Sequence, residues 1–151
     1  MKKYTILLIL LILHLGAFGQ DSLKVSNKEK DSLVYNFGDV EISLEKEIKC
    51  KRKKDSPKEC ARKAVIRHFN LTFNTEVISK LGLLSGTYII NNSISVDERG
   101  NLLAYDAESD LEGLEKEALR VLATLPKIFQ GSFNGKPIVV KLDFPATLRV
   151  Q

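Results

Sequence analysis

The stretch that decides the fold is Gly86-Thr87-Tyr88-Ile89-Ile90-Asn91-Asn92-Ser93-Ile94-Ser95-Val96-Asp97-Glu98-Arg99-Gly100-Asn101-Leu102-Leu103-Ala104-Tyr105. Tyr88, Ile90, Asn92, Ile94 and Val96 occupy one side of a period-two pattern, and Ile89, Asn91, Ser93 and Ser95 the other. That alternation predicts a long strand with one buried face. Asp97 to Gly100 reads as a turn, because aspartate accepts bonds from nearby amides and glycine takes positive φ without strain. Leu102 to Tyr105 then returns as the partner strand. Asn92 interrupts the apolar face: either a bulge turns it outward or it makes a functional polar contact.

Moving outward, the period changes to that of a helix on both sides. Downstream, Leu111, Leu114, Ala118, Val121, Leu122 and Leu125 form one apolar stripe, with Ser109 and Glu112 as a capping box and Pro126 as the stop. Upstream, Ser56-Pro57-Lys58-Glu59 combines a cap, a first-turn proline and a second capping box. It opens a helix whose stripe is Cys60, Ala61, Ala64, Val65 and Phe69, with His68 at its end. Val77, Ile78 and Leu81 add another turn ended by Gly82. Gly131 to Gly135 reads as a loop. In the last strand Ile138, Val140, Leu142 and Phe144 alternate with Val139, Lys141 and Asp143, and Pro145 marks either a sheet edge or the exit from the sheet. The order helix–strand–strand–helix–strand predicts an α+β domain: a three-stranded antiparallel sheet with two helices packed on one face.

The N-terminal region divides in two. Lys2 and Lys3 precede an uncharged run from Thr5 to Leu13, and small residues follow at Ala17 and Gly19. This is the layout of a signal peptide over residues 1–19, cut before Gln20. The alternative is an uncleaved anchor, although the run from Thr5 to Phe18 falls short of the roughly 20 residues that span a bilayer. After cleavage no further membrane span is expected, and the expected location is the periplasm. Residues 20–48 read as a flexible or loosely packed segment with a short strand at Val40, Ile42 and Leu44, and the domain proper as residues 49–151.

A chain of 151 residues with 44% hydrophobic and 28% charged side chains excludes fibrous and wholly disordered classes. The net charge of +4 falls to +2 without Lys2 and Lys3, and it is uneven. Residues 46–67 hold ten Lys or Arg against three acids. No aromatic residues interleave with Lys51-Arg52-Lys53-Lys54, so nucleic acid is not an expected partner. Cys50 and Cys60 are the only cysteines. In an exported chain their expected state is a disulfide, worth roughly 3 kcal/mol by loop entropy. Their spacing suits neither a zinc site nor a CxxC redox centre. One histidine, His68, remains after the leader, and no serine sits in a nucleophile elbow. Asp106, Glu108 and Asp110 lack the glycine and closing glutamate of a calcium loop. Gly131 to Lys136 lacks the ending of a phosphate loop. The inventory points away from an enzyme, with no catalytic residues, cofactor or metal expected.

From about Cys50 to Val150 the chain resembles the C-terminal domain of TonB-type energy transducers, in the short periplasmic version common in Bacteroidetes. The features that carry the resemblance are Gly86, Ile94-Ser95-Val96-Asp97, Gly100, Leu114-Glu115-Lys116-Glu117-Ala118-Leu119-Arg120-Val121-Leu122, Leu125-Pro126, Gly131, Asn134-Gly135-Lys136-Pro137-Ile138-Val139-Val140 and Phe144-Pro145. The resemblance implies a binding module for transmembrane transport that takes the N-terminal box of an outer-membrane TonB-dependent transporter as an added strand. By position, the implied peptide-binding edge is Ile138, Val139, Val140, Lys141, Leu142, Asp143 and Phe144. The chain departs from energy transducers in having no proline between residues 20 and 49, where they carry a proline-rich spacer. The alternative is therefore a TonB-like scaffold that homodimerises or binds an unrelated envelope protein, with no role in energised transport.

Overall fold

A computed structural model describes residues 33–50, 52 and 54–151. The expected signal peptide lies outside the described residues, as does the start of the lead-in. The described elements are β1 (Val34–Asn36), a 3-10 turn (Phe37–Asp39), β2 (Glu41–Leu44), α1 (Pro57–Thr72), α2 (Glu76–Lys80), β3 (Gly86–Val96), β4 (Leu102–Glu108), α3 (Glu112–Leu122), β5 (Phe129–Phe133) and β6 (Lys136–Val150). The fold is α+β, but the expectation of three strands is corrected: the sheet has six, in the order β2-β5-β6-β3-β4, with β1 also on β6.

The additional strands have identifiable physical causes. β5 contains Gly131, which the sequence pattern assigned to a loop. A Cβ there would overlap Val140 Cγ2 and lie 3.3 Å from Val140 Cβ, so the glycine serves close approach within a sheet rather than a turn. The turn is confined to Asn134 (φ 51°) and Gly135 (φ 74°), the positive-φ pair that favours a two-residue hairpin. It joins Phe133 to Lys136 and sets Gly131 opposite Ile138. β2 pairs antiparallel with β5, Leu44 opposite Phe129, and β1 runs parallel to β6 at Val139–Lys141. β2 falls on the short strand expected at Val40, Ile42 and Leu44; with β1 it makes Val34–Leu44 part of the sheet rather than a loose lead-in, and Phe37, Val40 and Ile42 lie in the core.

The expected strand pair holds. β3 pairs with β4, with a register shift at Ser95/Val96, and on its other side β3 pairs with β6 along eleven positions, Gly86 with Val150 through Val96 with Val140. Asp97 Oδ1 accepts from the Arg99 amide at 2.9 Å and the Asn101 amide at 2.8 Å, closing the turn. Gly100 sits there at φ 75°, with its Cβ position 2.7 Å from Phe129 O. The bulge does not fall at Asn92. That side chain stays on the core face opposite Ala107 and Phe144.

α1 begins as its sequence predicts: Ser56 Oγ accepts from the Glu59 amide at 3.3 Å, and Glu59 Oε2 accepts from the Ser56 amide at 3.0 Å. α3 differs at its start. Its N-cap is Leu111, with no side-chain cap bond; Ser109 Oγ accepts only from the Leu111 amide at 3.4 Å. Ala61, Val65 and Phe69 of α1 and Leu114, Ala118 and Val121 of α3 share one core with Ile90, Ile94, Val140, Leu142 and Phe144 of the sheet. The Phe69 ring meets Phe144 edge-on at 5.9 Å, tying α1 to β6. The expected Cys50–Cys60 disulfide is present, with its Cα atoms 5.4 Å apart, and closes the basic loop onto the first turn of α1.

Candidate functional site

The resemblance directs attention to the backbone of β6 rather than to a cluster of side chains. Across the β3–β4 turn the Asp97 amide donates to Asn101 O at 2.9 Å. Strand alternation then turns odd-numbered β3 residues toward β4 and even-numbered ones toward β6. The β3–β6 register runs unbroken, so Lys141, Asp143, Pro145, Thr147 and Arg149 turn their backbone groups away from β3. Pro145 fits that parity, since it has no N–H to give to Asn91.

The outward edge of β6 is occupied in its first half and free in its second. Of the seven sequence-predicted residues, Ile138 pairs with Gly131 of β5. Val139, Val140 and Lys141 lie opposite Val34, Tyr35 and Asn36 of β1. Leu142, Asp143 and Phe144 pair only with β3. Among the described residues no strand pairs with the outward edge from Leu142 to Val150, so the free stretch is displaced toward the C-terminus relative to the expected one. Arg62 Nη2 donates to Asp143 O at 3.3 Å, which caps one outward carbonyl, while Pro145 removes one outward donor. The amides of Asp143, Thr147 and Arg149 are the donors an added strand would meet.

Two partners of this edge carried no legible signal in the sequence. β1 is three residues long, too short for alternation to register. Arg62 reads as an ordinary exposed helix residue, and its reach to Asp143 spans 81 positions. Beside the edge, Tyr35 stacks on Phe133 at 5.2 Å, and Phe37 meets Phe129 edge-on at 5.1 Å. The outer face of β4, β3 and β6 carries a groove of about 450 Å³ that includes Asn91, Ser93, Asp106, Glu108, Lys141 and Asp143. Lys141 Nζ and Asp143 Oδ1, two positions apart on β6, pair at its wall at 3.3 Å.

The remaining polar groups bind the helices together. His68 Nε2 lies 3.2 Å from Thr124 Oγ1. Burial lowers its pKa against an opposing backbone hydrogen bond at Val121, and the contact links α1 to the segment that follows α3. Glu117 accepts from Arg120 and, at 2.7 Å, from the Asn74 amide. Arg120 Nη2 also donates to Thr72 O at 2.8 Å. The Arg120 hydrogen bond chiefly holds the Glu117 carboxyl below its ordinary pKa. No three metal-ligating side chains cluster among the described residues. No described helix is long and apolar enough to cross a membrane. Compared with known protein families, curated proteins and solved structures, the chain matches none.

Proposed function

We propose that this chain is a non-enzymatic periplasmic binding module, similar to the TonB C-terminal domain, that takes an extended segment of an outer-membrane transporter as an added strand on β6. One observation carries the reading: among the described residues, the outward edge of β6 from Leu142 to Val150 has no strand partner. An open edge offers main-chain donors and acceptors in a row, which is what strand addition uses. The Cys50–Cys60 disulfide supports an oxidising compartment.

The test is proline at Thr147, whose amide faces outward, so that the bonds to β3 remain. A labelled peptide copying the N-terminal box of a transporter from the same envelope should bind the unaltered protein. It should bind Thr147→Pro at least tenfold more weakly, with the circular dichroism of the two proteins superimposable. Equal affinity with an intact fold would remove this edge as the site. Val140 is the wrong position for such a test, because its amide faces β3.

The scaffold reading has its own support in β4. This strand ends the sheet, and Leu103 and Tyr105 on it are 53% and 38% exposed. A homodimer joined there would show a mass that rises with concentration and returns to that of the monomer when Leu103 is replaced by lysine.

A further inference from the structure

The half of the edge that is already occupied says what kind of strand it accepts. β1 is a short segment of the chain's own, seated parallel on Val139–Lys141. It is lightly held: Leu33 and Val34 are 79% and 53% exposed, and Asn36 is exposed as well. Its firm contact is Tyr35, half-buried and stacked on Phe133 at 5.2 Å. Directly after it Phe37 is buried against Phe129, so the segment can leave β6 while its following residue stays anchored. Val139, although on the outer side of the sheet, is buried.

We propose that β1 is a resident stand-in for the partner strand, and that the partner is an extended segment entering parallel to β6 with an aromatic side chain placed on Phe133 where Tyr35 now lies. The proposal deepens the strand-addition reading and rests on it. The partner strand displaces β1 from Val139–Lys141 and continues along the free edge toward Arg149, and Arg62 leaves Asp143 O as it passes. A tethered competitor acts at an effective concentration in the millimolar range. It lowers the apparent affinity of any free segment by the fraction of time the edge is vacant.

The probe is a fluorescein-labelled peptide copying Leu33 to Gly38, titrated by anisotropy into the full chain and into Tyr35→Pro. Proline removes the central amide of β1 and its stacking ring. The variant should bind the peptide at least tenfold more tightly, which corresponds to β1 being docked about nine-tenths of the time. The same peptide with alanine in place of its tyrosine should lose at least fivefold. Should Tyr35→Pro fail to fold, glycine at Val34, Tyr35 and Asn36 together vacates the edge without a proline. Equal binding to vacated and unaltered proteins, or an alanine peptide as good as the tyrosine one, overturns the proposal. A vacated edge that takes this peptide but no transporter segment keeps the present inference and removes the transporter reading. A transporter segment whose binding is lost in Thr147→Pro but is indifferent to loss of β1 does the reverse.

Discussion

Replacing Asn92 by valine should make the protein more stable, although it deletes a hydrogen bond. Asn92 is 1% exposed. Its Nδ2 donates to Ile90 O at 3.1 Å, while its Oδ1 has no hydrogen-bond partner among the described residues. Leaving a buried acceptor unpaired costs about 1–3 kcal/mol, against about 0.5–1.5 kcal/mol gained from one ordinary hydrogen bond. Ile90 is not orphaned by the change, because it lies in the β3–β6 ladder opposite Ala146. Valine suits an interior strand position, and its methyl groups would be buried against Ala107 and Phe144. The net gain is about 1–2 kcal/mol, or a rise of several degrees in Tm for a domain of this size. Urea denaturation of both proteins, with equal m-values, measures it directly. A loss of more than about 0.5 kcal/mol would refute the reasoning, since it would mean that Oδ1 is satisfied in solution and that the amide is a stabilising contact.

Two further outcomes follow from the packing and the ion pairs. Gly131→Ala should destabilise by about 1–3 kcal/mol through overlap with Val140, whereas Gly38→Ala, with open space around it, should change little; a comparison of urea midpoints separates them. Glu117→Gln concerns pH: the folded pKa is depressed, so the carboxylate's contribution is present above the unfolded pKa and is lost as pH falls through the folded one. The deficit of the variant should therefore be largest near neutrality and close below the ordinary carboxylate range, and a deficit independent of pH would exclude the charge as its cause.

Where one element carries enough residues to declare its period or its cap, the sequence was sufficient. Ser56 and Glu59 read as a capping box and form one, and the β3–β4 pair and the α3 stripe are where alternation and 3.6-residue spacing put them. β1 escapes because three residues cannot express a period, whereas β2 falls on the short strand expected at Val40, Ile42 and Leu44 and only its place beside β5 was not legible. β5 escapes because Gly131 serves contact with Val140, a reason that exists only once the strands are side by side. The start of α3 escapes for a related cause: Ser109 has capping chemistry, but the strand runs to Glu108 and delays the helix to Glu112. For the site, the identity of β6 as the strand of interest came from resemblance, while its vacancy beyond Lys141 depends on β1 and Arg62, which approach from 81 to 105 positions away in the chain.

That same long reach sets an order of assembly. β3 with β4 and β5 with β6 are neighbours in sequence and need only a turn to pair. The Cys50–Cys60 loop is likewise local. β1 and β2, by contrast, find their strand partners in β6 and β5, which lie far downstream in the sequence. A chain delivered amino-terminus first must therefore keep Phe37, Val40 and Ile42 unburied until β5 and β6 arrive, and closing so long a loop slows folding. The step that completes the core is then also the step that seats β1 on β6, so closing the domain and covering its candidate docking edge become one event.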